Sequence, residues 1–352
     1  MNRVAIVTLY DENNYGNRLQ NYAVQRCLER VGCKAETVVS VKLNNGRHTL
    51  KYYIASVLWK ISPKIVSLIK LHFSRLKNFE RFTKKNVKTR YIVTANGCLP
   101  CEIECEYDFF IAGSDQIWNP SWGNYENRYS NMFLLFAPFE KRLCFSPSFG
   151  VSEIPEEWLE SFKDGLNGFN ELNVRELSGA DIIKKLTGRN AQVLIDPTLM
   201  LNADEWLKIA KKIKIPRRPY VFEYFLGERD DNELNRVAKD NNLHRLTLLD
   251  ETNHDIYVSN PGQFIYMISR ADLVCTDSFH ACVFSIIFGK PFIVYRRKDK
   301  TKDMYDRIDT LLKMFDADSN REPIIVSPEV RDRVLKKERE KVVAYLKRNL
   351  KL

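Results

Sequence analysis

An apolar run, a polar loop, a helix and a second apolar run fill the first forty residues, and this opening limits the fold more than any other feature. Residues 4–9 are apolar and 11–17 polar, and Leu19, Tyr22, Ala23, Cys27, Leu28 and Val31 recur at helical spacing before Gly32 and the apolar stretch 35–41. Strand, helix and strand in that order form a βαβ unit, which begins a doubly wound sheet. Short apolar runs at 107–112, 143–145, 171–174 and 192–195 predict further strands of that sheet. Residues 204–214 predict a helix leading into 212–218, dense in Lys, Arg and Pro, where the interdomain linker is expected. Alternation then restarts, with strands expected at 220–225, 243–249, 273–276 and 292–295 and helices at 231–240, 262–270 and 279–288.

Length agrees with two units, because 352 residues that are 44% hydrophobic exceed what one core supports. The expected fold class is α/β, with two doubly wound Rossmann-like domains facing a cleft where their ligand binds. Boundaries fall at 1–205, with a basic helical insertion near 42–90, and at 206–328; a charged helix, 329–352, is expected to pack back on the first domain. With few Gly (14) and Pro (13) and no fixed-period repeat, the chain is neither a solenoid nor a disordered polymer. No apolar stretch reaches the roughly 18 residues of a spanning helix, and residues 4–9 are too short for a signal-peptide core, so a cytoplasmic protein is expected. Eight scattered cysteines read as reduced thiols; Cys98, Cys101 and Cys105 lack an obvious fourth ligand, so no metal site is expected.

Net charge is +10, and its location is informative: residues 42–90 hold thirteen Lys and Arg against one acid, Glu80. Nucleic acid, anionic lipid or a diphosphate-bearing substrate would each suit that segment, and so would a solvated helical surface. Four clusters carry chemistry. His280 falls in the first turn of a helix after a buried strand, with Asp277 or Ser278 able to cap it, so backbone N–H groups and an imidazole could meet a phosphate; the alternative is a histidine that merely caps or packs. Arg175 ends a strand and needs an anion, either a ligand or a distant aspartate, since Glu176 is expected to point to the opposite face. The loop Asn13-Asn14-Tyr15-Gly16-Asn17 lacks both the dinucleotide glycine pattern and the Walker lysine. Gly113-Ser114-Asp115-Gln116-Ile117-Trp118-Asn119 combines hydrogen-bonding groups with an indole, as a sugar site requires.

In order and spacing these clusters resemble the polysaccharide pyruvyl transferase family. The matching residues are Asn14-Tyr15-Gly16-Asn17 with Leu19-Gln20, Ile111 through Asn119, Ser148-Phe149-Gly150, Val174-Arg175-Glu176, Asp196-Pro197-Thr198-Leu199, and Thr276-Asp277-Ser278-Phe279-His280 through Lys290-Pro291-Phe292. The resemblance implies a GT-B-like fold and transfer of the pyruvyl group of phosphoenolpyruvate onto a sugar diol of a glycan precursor, forming a cyclic ketal and releasing phosphate. It implies Arg175 and His280 around the donor, with Ser278, Gly16 and Asn17 beside them. Asp115 is then the expected catalytic base, and Ser114, Asp115, Gln116 and Trp118 are expected to hold the acceptor. No cofactor is implied beyond the donor substrate, phosphoenolpyruvate. A polyprenyl-diphosphate-linked acceptor would bring the basic segment to the inner face of the cytoplasmic membrane as a peripheral protein. A GT-B glycosyltransferase using a nucleotide sugar is the enzymatic alternative; a basic nucleic-acid-binding protein has only charge in its favour.

Overall fold

The structure, a computed structural model, describes residues 1–42, 63–121, 125–297, 305–318 and 322–352. The first sheet contains β1 (Arg3–Val7), β2 (Lys34–Lys42), β3 (Thr89–Thr94), β4 (Phe109–Asp115) and β5 (Arg142–Pro147), all parallel, in the order β3-β2-β1-β4-β5. Two short strands, β6 (Asn173–Val174) and β7 (Gln192–Val193), pair with each other, and the Arg175 N–H donates to the Pro147 carbonyl at 3.2 Å to join them to β5. The second sheet, also parallel, runs β11-β10-β8-β9, from β8 (Tyr220–Tyr224), β9 (His244–Thr247), β10 (Leu273–Thr276) and β11 (Phe292–Val294). Helices cover both faces of such sheets, which is why β4, β8 and β10 are buried throughout and read as mainly apolar runs, with Glu223 the one charge inside β8.

Strand order reverses between β1 and β4 in the first sheet and between β8 and β10 in the second. Such reversals open a crevice at the carboxyl ends of the strands. Here the two crevices meet: the chain after each of those four strands lines one cavity of about 980 Å³ through Leu9, Gln116, Leu226 and Ser278. Helix Tyr15–Arg30 starts at the cleft, where the Asn14 side chain accepts from the Asn17 N–H at 3.0 Å. It is buried on nearly every side because the second domain closes over it: the Tyr15 hydroxyl donates to the Ser259 carbonyl at 2.8 Å and its ring stacks on Phe264. Helix Pro328–Asn349 returns to the first domain, where the Tyr345 hydroxyl donates to the Cys144 carbonyl at 2.7 Å and Arg339 donates to the carbonyls of Leu199 and Leu201.

Three local expectations change. Residues 204–214 do not form one helix: a capping box on Asn202 starts Ala203–Leu207, and the Lys211 N–H then bonds the Gly262 carbonyl instead of continuing the helix. Residues 89–94, the first two of them counted with the basic run, form edge strand β3. Of the basic segment, 43–62 lie outside the described residues; helix Pro63–Asn86 buries Leu71, Phe79 and Phe82, so part of its apolar face belongs to the core while Phe73 is exposed. Arg75 is buried as well, donating to the Asn13 carbonyl at 2.8 Å beside the Tyr15 ring.

Candidate active site

The first-domain side of the cavity is a closed polar network. β4 ends at Asp115 with φ +68°, a left-handed backbone that a non-glycine residue holds only at a cost of about 1–3 kcal/mol. Contacts on both carboxylate oxygens fix it there: Oδ1 accepts from Arg175 Nη2 at 3.1 Å and Oδ2 from Asn17 Nδ2 at 3.0 Å. Arg175, immediately after β6, donates from Nη1 to Asp196 Oδ2 at 2.8 Å. Asp196 also accepts from Ser114 Oγ at 3.2 Å, from the Thr198 N–H at 2.9 Å and from Thr198 Oγ1 at 2.6 Å.

Arg175 is therefore committed to two distant aspartates and does not stand as an open fork. Glu176, expected to face away, has its Oε2 3.8 Å from Arg175 Nε, while its Oε1 accepts from the Phe149 N–H at 2.8 Å. Burial pushes the Glu176 carboxyl upward, against the opposing pull of Arg175 and Arg307. Burial also acts to raise Asp115, but Arg175, His280 and the Asn17 bond outweigh it and bring the group down to about 2. Asp115 is thus held ionised, with a hydrogen bond on each of its oxygens.

The second-domain side is less complete. Asp277 spends its oxygens on the Leu226 and Gly227 N–H groups, each at 2.8 Å, and on Arg297 Nε at 2.7 Å. Ser278 stands at the N-cap of helix Phe279–Phe288 without a side-chain capping bond, so neither residue caps as expected. His280, in the first turn, lies against Gly16: a Cβ on Gly16 would come within 2.0 Å of the imidazole Nδ1. Gly16 thus supplies room for the histidine, a role distinct from contacting a ligand. The imidazole Nε2 is buried without a hydrogen-bond partner, 3.8 Å from Asp196 Oδ2. Burial lowers the His280 pKa, Arg175 and Arg307 lower it further, and Asp196 and Asp115 oppose them.

Arg175 and His280, from different domains, thus converge on one oxygen, Asp196 Oδ2. Asn17, Asp115, Gln116, Ser278 and His280 line the cavity. Ser114 and Trp118 do not. Ser114 is buried behind Asp115 on Asp196, and Trp118 is a core residue, its indole N–H donating to the Met132 carbonyl at 3.0 Å while its ring stacks on Phe133. Neither can touch a sugar there. Gln116 does face the cavity, and in the amide orientation that turns its oxygen toward Arg307 that oxygen accepts from Arg307 Nη1 and Nη2 at 2.7 and 3.0 Å.

A sequence model of the polysaccharide pyruvyl transferase family matches residues 14–299. The chain belongs to this family. The match contains every site residue named so far except Arg307. No curated protein matches the sequence significantly. Among solved structures, the chain is similar to the UDP-GlcNAc 2-epimerase of Neisseria meningitidis bound to UDP-GlcNAc (11% identity, 99% of each chain, TM-score 0.49). It is also similar to the UDP-GlcNAc 2-epimerase of Methanocaldococcus jannaschii (10% identity, 95% of this chain and 99% of that one, TM-score 0.49). A functionally uncharacterized protein of Klebsiella pneumoniae is another (15% identity, 86% of each chain, TM-score 0.41). The fold assignment rests on the strand order described above.

Two residues of this network and cavity were not picked out from the sequence as site residues. Asp196 opens a family-matching Asp-Pro-Thr-Leu motif, so the signal was present; what was missing was the geometry that sets it between Arg175 and His280. Arg307 had no signal at all, being one arginine in an ordinary amphipathic helix.

Proposed function

We propose that the protein transfers the pyruvyl group of phosphoenolpyruvate to two hydroxyls of a glycan precursor, forming a cyclic ketal and releasing phosphate. The observation that carries this reading is the meeting of Arg175 and His280 on Asp196 beside a cavity large enough for a small phosphoester and a sugar. In the reaction the enolpyruvyl C3 gains a proton, and one hydroxyl oxygen bonds to C2. The C2–O bond to phosphate then breaks with its electron pair leaving on phosphate, and the second hydroxyl oxygen takes its place. The two hydroxyl protons balance the one gained at C3 and the one carried off by phosphate or solvent.

His280 is the group suited to move these protons. Its imidazole is held neutral by burial and its Nε2 has no hydrogen-bond partner, so it can accept a hydroxyl proton; an arriving phosphate raises its proton affinity and lets it donate. Asp115 and Asn17 present fixed dipoles and charge to the acceptor, and Arg175 steadies the carboxylates behind them. Incubation with phosphoenolpyruvate and a panel of simple glycosides, read by mass spectrometry, should give a product carrying a pyruvate ketal. Stabilisation by a nucleotide diphosphate, with no ketal formed, would instead favour nucleotide-sugar transfer.

A lipid-linked acceptor fits the same reading. The support is the basic composition of 42–90 and exposed Phe73 on helix Pro63–Asn86, which also reaches the cavity through His72 and Leu76. Flotation with anionic liposomes should be lost when five or six of those Lys are changed to Glu; unchanged flotation returns the segment to a solvated surface.

A further inference from the structure

Arg307 lies at the second position of helix Asp306–Met314, beyond the end of the family match at residue 299. It lines the cavity yet is only 6% exposed, and its Nε has no hydrogen-bond partner. Its two terminal nitrogens meet a single neutral group, the Gln116 amide oxygen. Among the described residues no carboxylate pairs with it directly; Glu176 and Asp115 are close enough to favour its charge, and Arg175 close enough to oppose it.

Arg175 also has an unpartnered Nε but differs at its terminal nitrogens. Both of its terminal nitrogens are occupied by aspartates, its side chain has no exposure, and it stands behind Asp115. The two guanidiniums share one aromatic ring, Phe279, with centroid distances of 4.6 Å for Arg175 and 5.9 Å for Arg307. A buried cation with only an amide for company is costly unless an anion joins it. Burial, followed by the repulsion of Arg175, brings its pKa down to about 10, so the charge is retained at neutral pH but poorly compensated.

We infer that Arg307 is the cation that grips the donor: its guanidinium, and not that of Arg175, takes a phosphate or carboxylate of the donor and sets it against His280. Naming phosphoenolpyruvate as the donor rests on the function proposed above; the anion-gripping role does not. Arg307 would act by charge-assisted, two-pronged hydrogen bonding, for which its two terminal nitrogens, both aimed at the Gln116 oxygen, are suited once an anion displaces that amide.

The test is calorimetric titration of phosphoenolpyruvate, inorganic phosphate and UDP into the full chain and its Arg307→Met and Arg307→Lys variants, with melting temperatures for all three. Arg307→Met should weaken anion binding at least about tenfold, as expected for a lost charged hydrogen bond, and should melt no earlier than wild type. Arg307→Lys should fall between the two, because it keeps the charge and loses the fork. Wild-type binding of phosphate or UDP without phosphoenolpyruvate, weakened in the same way by Arg307→Met, would sink the donor assignment and leave the anion grip standing. Anion affinities of Arg307→Met within twofold of wild type would overturn the inference, as would a wild-type protein that binds none of the three. If Arg307→Met melts early, Arg307→Lys decides: unchanged affinity makes the guanidinium structural and overturns the inference, whereas weakened affinity supports it.

Discussion

The two sheet edges that face each other across the cavity are built on different principles. At the first, the charges are paired: Asp115, Arg175, Asp196 and Asn17 bond one another, leaving Arg175 Nε and Glu176 Oε2 without hydrogen bonds, and Asp115 accepts a strained backbone to complete the set. At the second, His280 Nε2 is without a partner, and Arg307, beside it, has only an amide. A site needs both kinds of surface. The closed edge supplies fixed geometry and field, and the open edge supplies groups that become satisfied only when something binds.

The sharpest break between them should appear on turnover. His280→Ala removes the proton-transferring group from the open edge, so phosphate release from phosphoenolpyruvate plus acceptor should fall by about 10²–10⁴-fold while the melting temperature holds. Near wild-type release would remove His280 from the chemistry. Arg175→Leu should do the reverse in character. It leaves two buried aspartates unpaired, with a loss of about 3–5 kcal/mol of stability visible in chemical denaturation. If Arg175→Leu is as stable as wild type, the closed edge is not a scaffold held by that arginine.

A smaller effect joins the two edges. Gly16 belongs to the helix of the first domain, yet a methyl group there would overlap the His280 ring. Gly16→Ala should move the imidazole without altering any charge, and a displacement on the order of 1 Å costs about 10²-fold in rate. The loss should fall on kcat more than on phosphoenolpyruvate affinity; an unchanged kcat would mean that the ring has room to shift without consequence.

The same contrast explains what could be read from the sequence. Strands buried on both faces show as mainly apolar runs, so most of both sheets was legible. Strand β3 was not, because an edge strand with Tyr91 and Val93 exposed has no clean pattern, and Arg90 made it look like the basic segment. His280 and Arg175 were found because a strand end followed by a charged residue is a local signal. Their partners were hidden: Asp115 and Asp196 lie 60 and 21 residues from Arg175 along the chain, and only folding brings them to it. Trp118 failed for a related reason, since an indole after a polar turn gives the same sequence whether it faces a ligand or the core.

The mildest effect, and the most diagnostic for the open edge, is its response to pH. His280 is buried with a lowered pKa, so in the window between that value and the ordinary histidine pKa of about 6.5 the unfolded chain binds a proton that the folded chain does not. Unliganded protein should therefore lose stability as pH falls through that window. Ligand binding reverses the sign. A phosphate dianion beside His280 favours the imidazolium that Arg175 and Arg307 disfavour in the empty site, so the complex holds the proton to higher pH than the free protein. Between the two values binding takes up a proton, and affinity for phosphoenolpyruvate should weaken as pH rises, by at most about tenfold per unit. Asp196 and Asp115 face the same ring but stay ionised across this range, because both are lowered from their ordinary values. The phosphate's own ionisation near pH 6 contributes a slope as well, so His280→Gln is the control. Titrations in buffers of different ionisation enthalpy should show proton uptake by wild type at pH 7 and less in the variant. Equal uptake by both would assign the slope to the ligand alone and leave His280 neutral throughout.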